Sequence, residues 1–457
     1  MKPILITPTP DDLAAAEDLL KALLRIDTSN PPGREREAID FLRWQCVSDG
    51  FGPEIVGNPE RPNLVFKLEA APENRKGPPL ILSCHVDTVP ADPSRWTHPP
   101  FSGHQANGYI WGRGALDMKG FAAMAFTVMR LLRRHRLPIN RDVIFAAVSD
   151  EEAGTDQGSA WLVENRPDLL GDRPAYVINE VGGFTVHHKG LRYYPVQVAE
   201  KGIAWLRLTI QGSPGHSSLP GQDNAVALLA EAADKIAKAR LPWHPSDVAK
   251  RYLKAFAEPL KGSAKTLVPL LSNPATGPGL LSRAISDPSR RAAIEAILRN
   301  TATPTRISGG ISINMLPYEA SVDIDGRLAP GQKAKYLVSE LYKAIGDPDR
   351  AKYRIEILRE SPAVEFTTET PLYEHIREVM ALRDPEAHVV PSVIPGFTDS
   401  RNYAKLGAVC YGFYPLRLPP DLDFASLFHG DDERIPVDGF DWGIETLMHL
   451  LSRFLTT

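Results

Sequence analysis

Short apolar runs alternate with amphipathic stretches along the first two hundred residues. Residues 11–26, DDLAAAEDLLKALLRI, space Leu and Ala by three and four, which predicts a helix with one buried face. TSNPPGREREAIDFLRWQC follows with a Pro-Gly turn and a second helix. NLVFKLE, LILSCHV and GYIWGRG read as strands, then MKGFAAMAFTVMRLLRRH as a long helix. The strand DVIFAAVSD, the helix SAWLVEN and the strand AYVINE come next. Strands alternating with helices imply an α/β domain, a mostly parallel sheet covered by helices.

The pattern changes near residue 197. AWLRLTIQG and ASVDIDGRL alternate as strands with one buried face, separated by helices rich in Ala, Lys and Arg. An α+β module inserted into the first domain is therefore expected. It would span 198–360 and carry a Pro-punctuated helical insertion at about 240–300. The first domain would comprise 1–197 and resume at 361–457 through PLYEHIREVMAL and AVCYGFYPL, ending in the helix WGIETLMHLLSRFL.

Polar residues fall at the ends of the predicted parallel strands. His85 and Asp87 close LILSC and point to the same side, because strand side chains alternate. Asp117 lies between WGRGAL and the long helix, Glu151 and Glu152 follow VIFAAVSD, and Glu180 ends AYVINE. Taken singly these have ordinary readings: a structural histidine, a helix cap at Asp117, a solvated Glu-Glu turn. Together they recur at strand C-termini, where an open α/β sheet binds ligands. Imidazole with several carboxylates suits Zn²⁺, Mn²⁺ or Co²⁺. An odd number of carboxylates also fits one Asp bridging two ions.

Composition narrows the classes further. The 457 residues carry a net charge of −4, and nothing global favours nucleic acid or an anionic membrane. The basic stretch RLLRRHR at 130–136 reads as a helix end complementing its dipole. Three cysteines cannot form a disulfide framework, which points to a reducing, cytoplasmic setting. No run approaches a membrane span, and MKPILITPTPDD lacks a signal-peptide core. GRGALDMKG breaks the dinucleotide glycine spacing, and GSPGHSSLPG lacks the Gly-Lys-Ser/Thr of a phosphate loop. No Ser has the context of a nucleophile elbow.

The motifs LILSCHVDTVPAD, PPFSG, GYIWGRGALDMKG, VIFAAVSDEEAGTDQGS and VINE closely resemble the zinc aminoacylase/carboxypeptidase metallopeptidase family of acetylornithine deacetylase, succinyl-diaminopimelate desuccinylase and carboxypeptidase S-like enzymes. The likeness continues through GSPGHSSLP, INMLPYEASVDIDGRLAPG, GFTDSRNYAKLG and LFHGDDERI, sparing about 235–305. It implies two divalent metal ions, Zn²⁺ foremost with Co²⁺ or Mn²⁺ as alternatives. One would be held by His85, Asp117 and Glu180, the other by Asp117, Glu152 and His429. Asp87 would orient His85, and Glu151 would be the general base. The inserted module would be a lid or dimerisation domain. In it His216 would stabilise an oxyanion and Arg327 would pair with a substrate carboxylate, with Asn314, Gly396, Phe397 and Thr398 as further substrate contacts.

The implied activity is hydrolysis of an amide bond next to a carboxylate, by an N-acyl amino acid deacylase or a carboxypeptidase. Phe397, where many members have a small residue, raises an alternative: an amidohydrolase for an aromatic or xenobiotic amide or amine. A non-catalytic binding protein on this fold would have lost ligands or the base, and none is missing. The expected partner is a small carboxylate-bearing substrate, with no nucleic acid and no membrane. The 240–300 insertion would cover the lid face through which relatives pair, which counts against the homodimer that the resemblance otherwise implies.

Overall fold

The computed structural model describes residues 5–171, 175–219, 223–422 and 424–457. The chain forms two compact units. Unit 1 comprises residues 1–198, 366–391 and 398–457; unit 2 comprises 199–365 and 392–397. The expected limits at 197/198 and 360/361 differ from these by one and by five residues. The physical reason is that the strands Leu191–Glu200 and Tyr353–Ser361 run across or up to the predicted cuts. Residues 392–397, expected in the first domain, group with unit 2 instead, where the Lys201 amide donates to the Ile394 carbonyl.

In unit 1 the sheet runs in the order Glu54–Gly57, Pro62–Leu68, Val143–Val148, Leu80–His85, Tyr176–Asn179, Val409–Gly412, Leu191–Glu200. Its centre is parallel: Val143–Val148, Leu80–His85, Tyr176–Asn179 and Val409–Gly412 all run together. The flanks are antiparallel. Leu80–His85 and Val143–Val148 are buried along their whole length, which is why both read as unbroken apolar runs rather than alternating ones. From Leu80–His85 the chain crosses to one neighbour, Val143–Val148, and then to the other, Tyr176–Asn179. The switch point so created lies at the C-terminal end of Leu80–His85.

The helix Lys119–Arg134 makes the first crossover and is buried nearly throughout. Two of the basic residues at its end are paired: Arg130 Nε lies 2.7 Å from Asp49 and Arg134 Nη1 2.7 Å from Asp12. All three cysteines are buried and none is joined in a disulfide. Among the described residues no helix is long and apolar enough to cross a membrane.

Unit 2 has an antiparallel sheet in the order Thr301–Gly309, Glu319–Leu328, Gly202–Gln211, Tyr353–Ser361. Glu319–Leu328 alternates strictly: Ala320, Val322, Ile324 and Leu328 join the core, while Asp323, Asp325 and Arg327 take the opposite face. The helices Ala225–Lys238 and Ala334–Ile345 cover the apolar face through Leu229, Ile236, Leu337 and Leu341. The region expected to be helical contains Asp247–Ala257, Ser263–Leu270, Gly277–Ala284 and Pro288–Leu298.

Candidate metal centre

Three parallel strands of unit 1 deliver the donors. His85 ends its strand, Glu151 and Glu152 follow Val143–Val148 by a turn, and Glu180 follows Tyr176–Asn179 directly. Asp117 enters from the loop before the helix Lys119–Arg134, and His429 from a late turn. The helix-cap reading of Asp117 fails. Met118 holds the N-cap position without a side-chain bond, and the Asp117 carboxylate turns to the histidines instead.

Two donor triads result. His85, Asp117 and Glu180 bring ligand atoms within 4.8 Å of one another, as do Asp117, Glu152 and His429. Asp117 belongs to both: its Oδ1 is 3.0 Å from His85 Nε2 and its Oδ2 is 3.3 Å from His429 Nε2. Glu180 Oε2 lies 3.6 Å from His85 Nε2, and Glu152 Oε2 lies 3.1 Å from His429 Nε2.

The electrostatics of the donors favour a cation. Burial and the Asp117 charge push Glu180 up to about 8. Burial and Glu180 hold Glu151 well above the carboxylate range, and burial with Asp117 raises Glu152. Burial also opposes ionisation of Asp117, but hydrogen bonds to His429 and His85 outweigh it and keep it well below its ordinary value. Hydrogen bonds to Asp117 and Glu152 push His429 up to about 10. Glu152 Oε1 is buried without a hydrogen-bond partner. An orphan carboxylate oxygen among crowded like charges is what a divalent ion satisfies, so the nitrogen and oxygen donors fit a metal pair.

Asp87 lies against His85, its buried carboxylate facing the ring's Nδ1. His85 Nδ1 is 3.1 Å from the Asp87 backbone carbonyl, closer than the 3.5 Å to the carboxylate. The carboxylate also accepts from Asn30 Nδ2 at 2.8 Å and from the amides of Glu151 and Glu152, each at 3.1 Å. It thereby fixes the turn that carries the expected base and one ligand.

Glu433 had no assigned role. It is fully buried and accepts from Arg113 Nη1 at 2.8 Å and from the amides of Gly114, Leu116 and Asp117 at 3.0, 2.7 and 3.1 Å. This one carboxylate shapes the loop that presents Asp117. The only sequence signal was its place in LFHGDDERI, four residues past His429.

The remaining expected residues divide between the units. Thr398 in unit 1 is fully buried, and its hydroxyl accepts from Asn179 Nδ2 and the Ser400 amide. In unit 2, His216 and Met315 pair across a short ribbon, and the Ser217 amide reaches the Asn314 carbonyl at 3.2 Å. His216 Nδ1 accepts from the Ser218 amide at 3.2 Å, which leaves the ring proton on Nε2. Arg327 forms a two-pronged pair with Asp325, Nε–Oδ1 3.0 Å and Nη2–Oδ2 3.1 Å, and lies 5.2 Å from the Phe397 ring centre. Gly396 has open space where a side chain would project.

Residues 81–453 match the family described as Peptidase family M20/M25/M40. A probable carboxypeptidase S-like 2 of Dictyostelium discoideum is 29% identical over 409 residues, covering 85% of this chain and 74% of the relative. The human N-fatty-acyl-amino acid synthase/hydrolase PM20D1 is 28% identical over 382 residues, covering 82% and 73%. Among solved structures, an M20 family metallo-carboxypeptidase from Sulfolobus solfataricus shares the fold with a TM-score of 0.71 at 17% identity, covering 98% of this chain and 99% of that one.

Proposed function

The chain belongs to peptidase family M20/M25/M40 and is a metallohydrolase of amide bonds; from that premise we propose that it cleaves the amide bond of N-acyl amino acids, releasing a carboxylic acid and an amino acid. The observation that carries this reading is the pair of donor triads sharing Asp117, with Glu151 beside them. The names of the carboxypeptidase-like and N-fatty-acyl-amino acid relatives favour a substrate with a carboxylate next to the scissile bond.

In this reading His85, Asp117 and Glu180 hold one ion, and Asp117, Glu152 and His429 the other. Bound there, the ions would supply Lewis acidity toward the amide carbonyl and lower the pKa of water. Glu151 takes a proton from the attacking water on its carboxylate and passes it to the leaving nitrogen. The acyl carbon thus gains the hydroxyl and the amine gains the hydrogen. His216 donates its Nε2 proton in a hydrogen bond to the developing oxyanion. Arg327 binds the substrate carboxylate, and because Asp325 occupies its Nε–Nη2 edge, the Nη1 side is the one left for that task.

The test is turnover on a panel of N-acyl amino acids against the same amides lacking the α-carboxylate. The reading requires a strong preference for the acids, and for Glu151→Gln to lose about 10²–10⁴-fold in kcat with its metal content intact. Equal rates on both series would remove the carboxylate from the proposal. Because Phe397 lies beside Arg327, the panel includes aromatic acyl groups and aromatic amines; turnover confined to these would favour the aromatic-amide alternative.

A further inference from the structure

Unit 2 contains a second concentration of chemistry, within the helical insertion and remote in sequence from every residue given a role above. Two adjoining cavities of about 370 and 270 Å³ share Arg240, Leu241, Arg291, Glu295 and Arg299 as a common wall. Beyond that wall the larger is bounded by Lys238, Asn300, Thr301 and Thr303 and, in about equal measure, by apolar residues such as Ile236 and Pro288. The smaller is closed by Pro242, Trp243, Pro274 and Pro278, an apolar and aromatic surface.

The charges on this wall do not balance. Arg299 is paired with Glu295 and lies 5.4 Å from the Trp243 ring centre. Lys238 is paired with Asp234 at 2.7 Å. Arg291 spends its donors on neutral acceptors, the carbonyls of Ile285 and Ser286 at 2.8–3.3 Å. Arg240 makes no hydrogen bond or ion pair among the described residues. Among the described residues, two guanidinium charges, Arg240 and Arg291, are left without a carboxylate partner. Burial and the nearby Arg240 charge both work against the proton on Arg299, a sign of crowded cations.

The wall is also rigid. Lys201 Nζ donates to the carbonyls of Ala296 and Arg299 and to Thr301 Oγ1, tying down the last turn of the helix Pro288–Leu298. Trp243 is fixed by its Nε1 bond to the Leu271 carbonyl at 2.8 Å. A preformed concavity with the Arg240 fork and the Nη1 side of Arg291 open, beside an adjoining apolar chamber, suits a ligand with a compact dianionic head and a small flat or apolar body.

We propose that these cavities form a binding site for a phosphate monoester, with the phosphate on Arg240 and Arg291 and the organic body against Leu241, Pro242 and Trp243. A monocarboxylate would neutralise only one of the two charges. Inorganic phosphate would leave the apolar chamber unfilled.

Isothermal titration calorimetry at fixed ionic strength tests this with phenyl phosphate, inorganic phosphate and benzoate as probes. Phenyl phosphate should bind saturably and more tightly than either of the others. Arg240 is exposed and bonded to nothing that the fold needs, so Arg240→Glu and the milder Arg240→Gln should fold normally. They should weaken phenyl phosphate by about tenfold or more and about threefold, respectively. Absence of saturable binding up to about 10 mM, weaker than any specific site of this kind would give, overturns the proposal. So does equal affinity in wild type and Arg240→Glu, which would place the anion elsewhere, for example among the donors of unit 1. Benzoate binding as tightly as phenyl phosphate overturns the dianion assignment.

Discussion

Glu433→Ala is the most informative single perturbation of the centre, because it touches no donor atom of either triad. The residue is fully buried and so is its partner Arg113, at 2% exposed. Removing one member of a buried ion pair leaves an uncompensated charge and costs about 3–5 kcal/mol. The amides of Gly114, Leu116 and Asp117 lose their acceptor as well. Water entering the vacated space can satisfy some of these, so the total stays near the upper end of that range rather than adding about 1–3 kcal/mol for each amide. For a unit larger than 150–250 residues, such a loss lowers the Tm by about 5–8 °C. The functional effect follows from Asp117, whose backbone is held by Glu433 and whose carboxylate serves both triads. Glu433→Ala should therefore lose metal from both positions together. Glu433→Gln keeps the shape but presents an amide donor to an array of donors, and should fall between. Calorimetry and elemental analysis on one preparation read both effects. A Glu433→Ala protein that melts with wild type, or that loses heat stability while keeping two full equivalents of metal, would refute the idea that this carboxylate holds Asp117 in place.

Asp117→Ala should reduce both metal equivalents, whereas His429→Ala should reduce one; elemental analysis after dialysis distinguishes them. His216→Ala should lower kcat by about 10²–10³-fold, and Arg327→Ala should raise KM more than it lowers kcat, as steady-state kinetics on an N-acyl amino acid will show. Burial, with the nearby Glu17, Asp438 and Glu445, pushes Asp441 up to about 7 from its ordinary 3.8, and one of its oxygens has no hydrogen-bond partner. A carboxylate raised on folding gives stability that is complete below about pH 4 and lost as pH rises through 7. Asp441→Asn should thus match wild type at pH 4 and exceed it at pH 8 by about 1–2 kcal/mol, after discounting the shift for a half-exposed group; urea unfolding across that range reads it.

Much of the centre was legible because fully buried parallel strands leave a plain trace. LILSC and VIFAAV are apolar without alternation, so the polar residues that end them stand out. Asp117 was less legible, since a carboxylate before a helix usually caps it, and only the three-dimensional approach of His85 and His429 decides otherwise. Glu433 left no trace beyond its place four residues past His429. Its acceptors' partners lie 316–320 residues away, and nothing local marks a Glu in a GDDER run as the buried member of a pair. The same holds for residues 392–397, whose place in unit 2 depends on long-range pairing rather than on any change in pattern.

The adjacency of Glu151 and Glu152 poses the remaining structural question, because two neighbouring carboxylates are given different tasks. Their backbone supplies the answer. Asp150 adopts a left-handed conformation at φ 67°, and its carboxylate is held by Arg61 at 2.8 Å, by Asn30 and by the Gln157 amide. That strained turn lets the amides of Glu151 and Glu152 converge on Asp87. With both amides pinned, the side chains cannot exchange places by a small backbone shift. Glu152 stays against His429, and Glu151 stays in the field of Glu180. His429 itself sits at φ 56°, so the turns that supply Glu152 and His429 both pass through left-handed backbone, uncommon for residues other than glycine. The division of labour we propose between ligand and base therefore rests on Asp87, Asn30 and Arg61, none of which need touch a substrate.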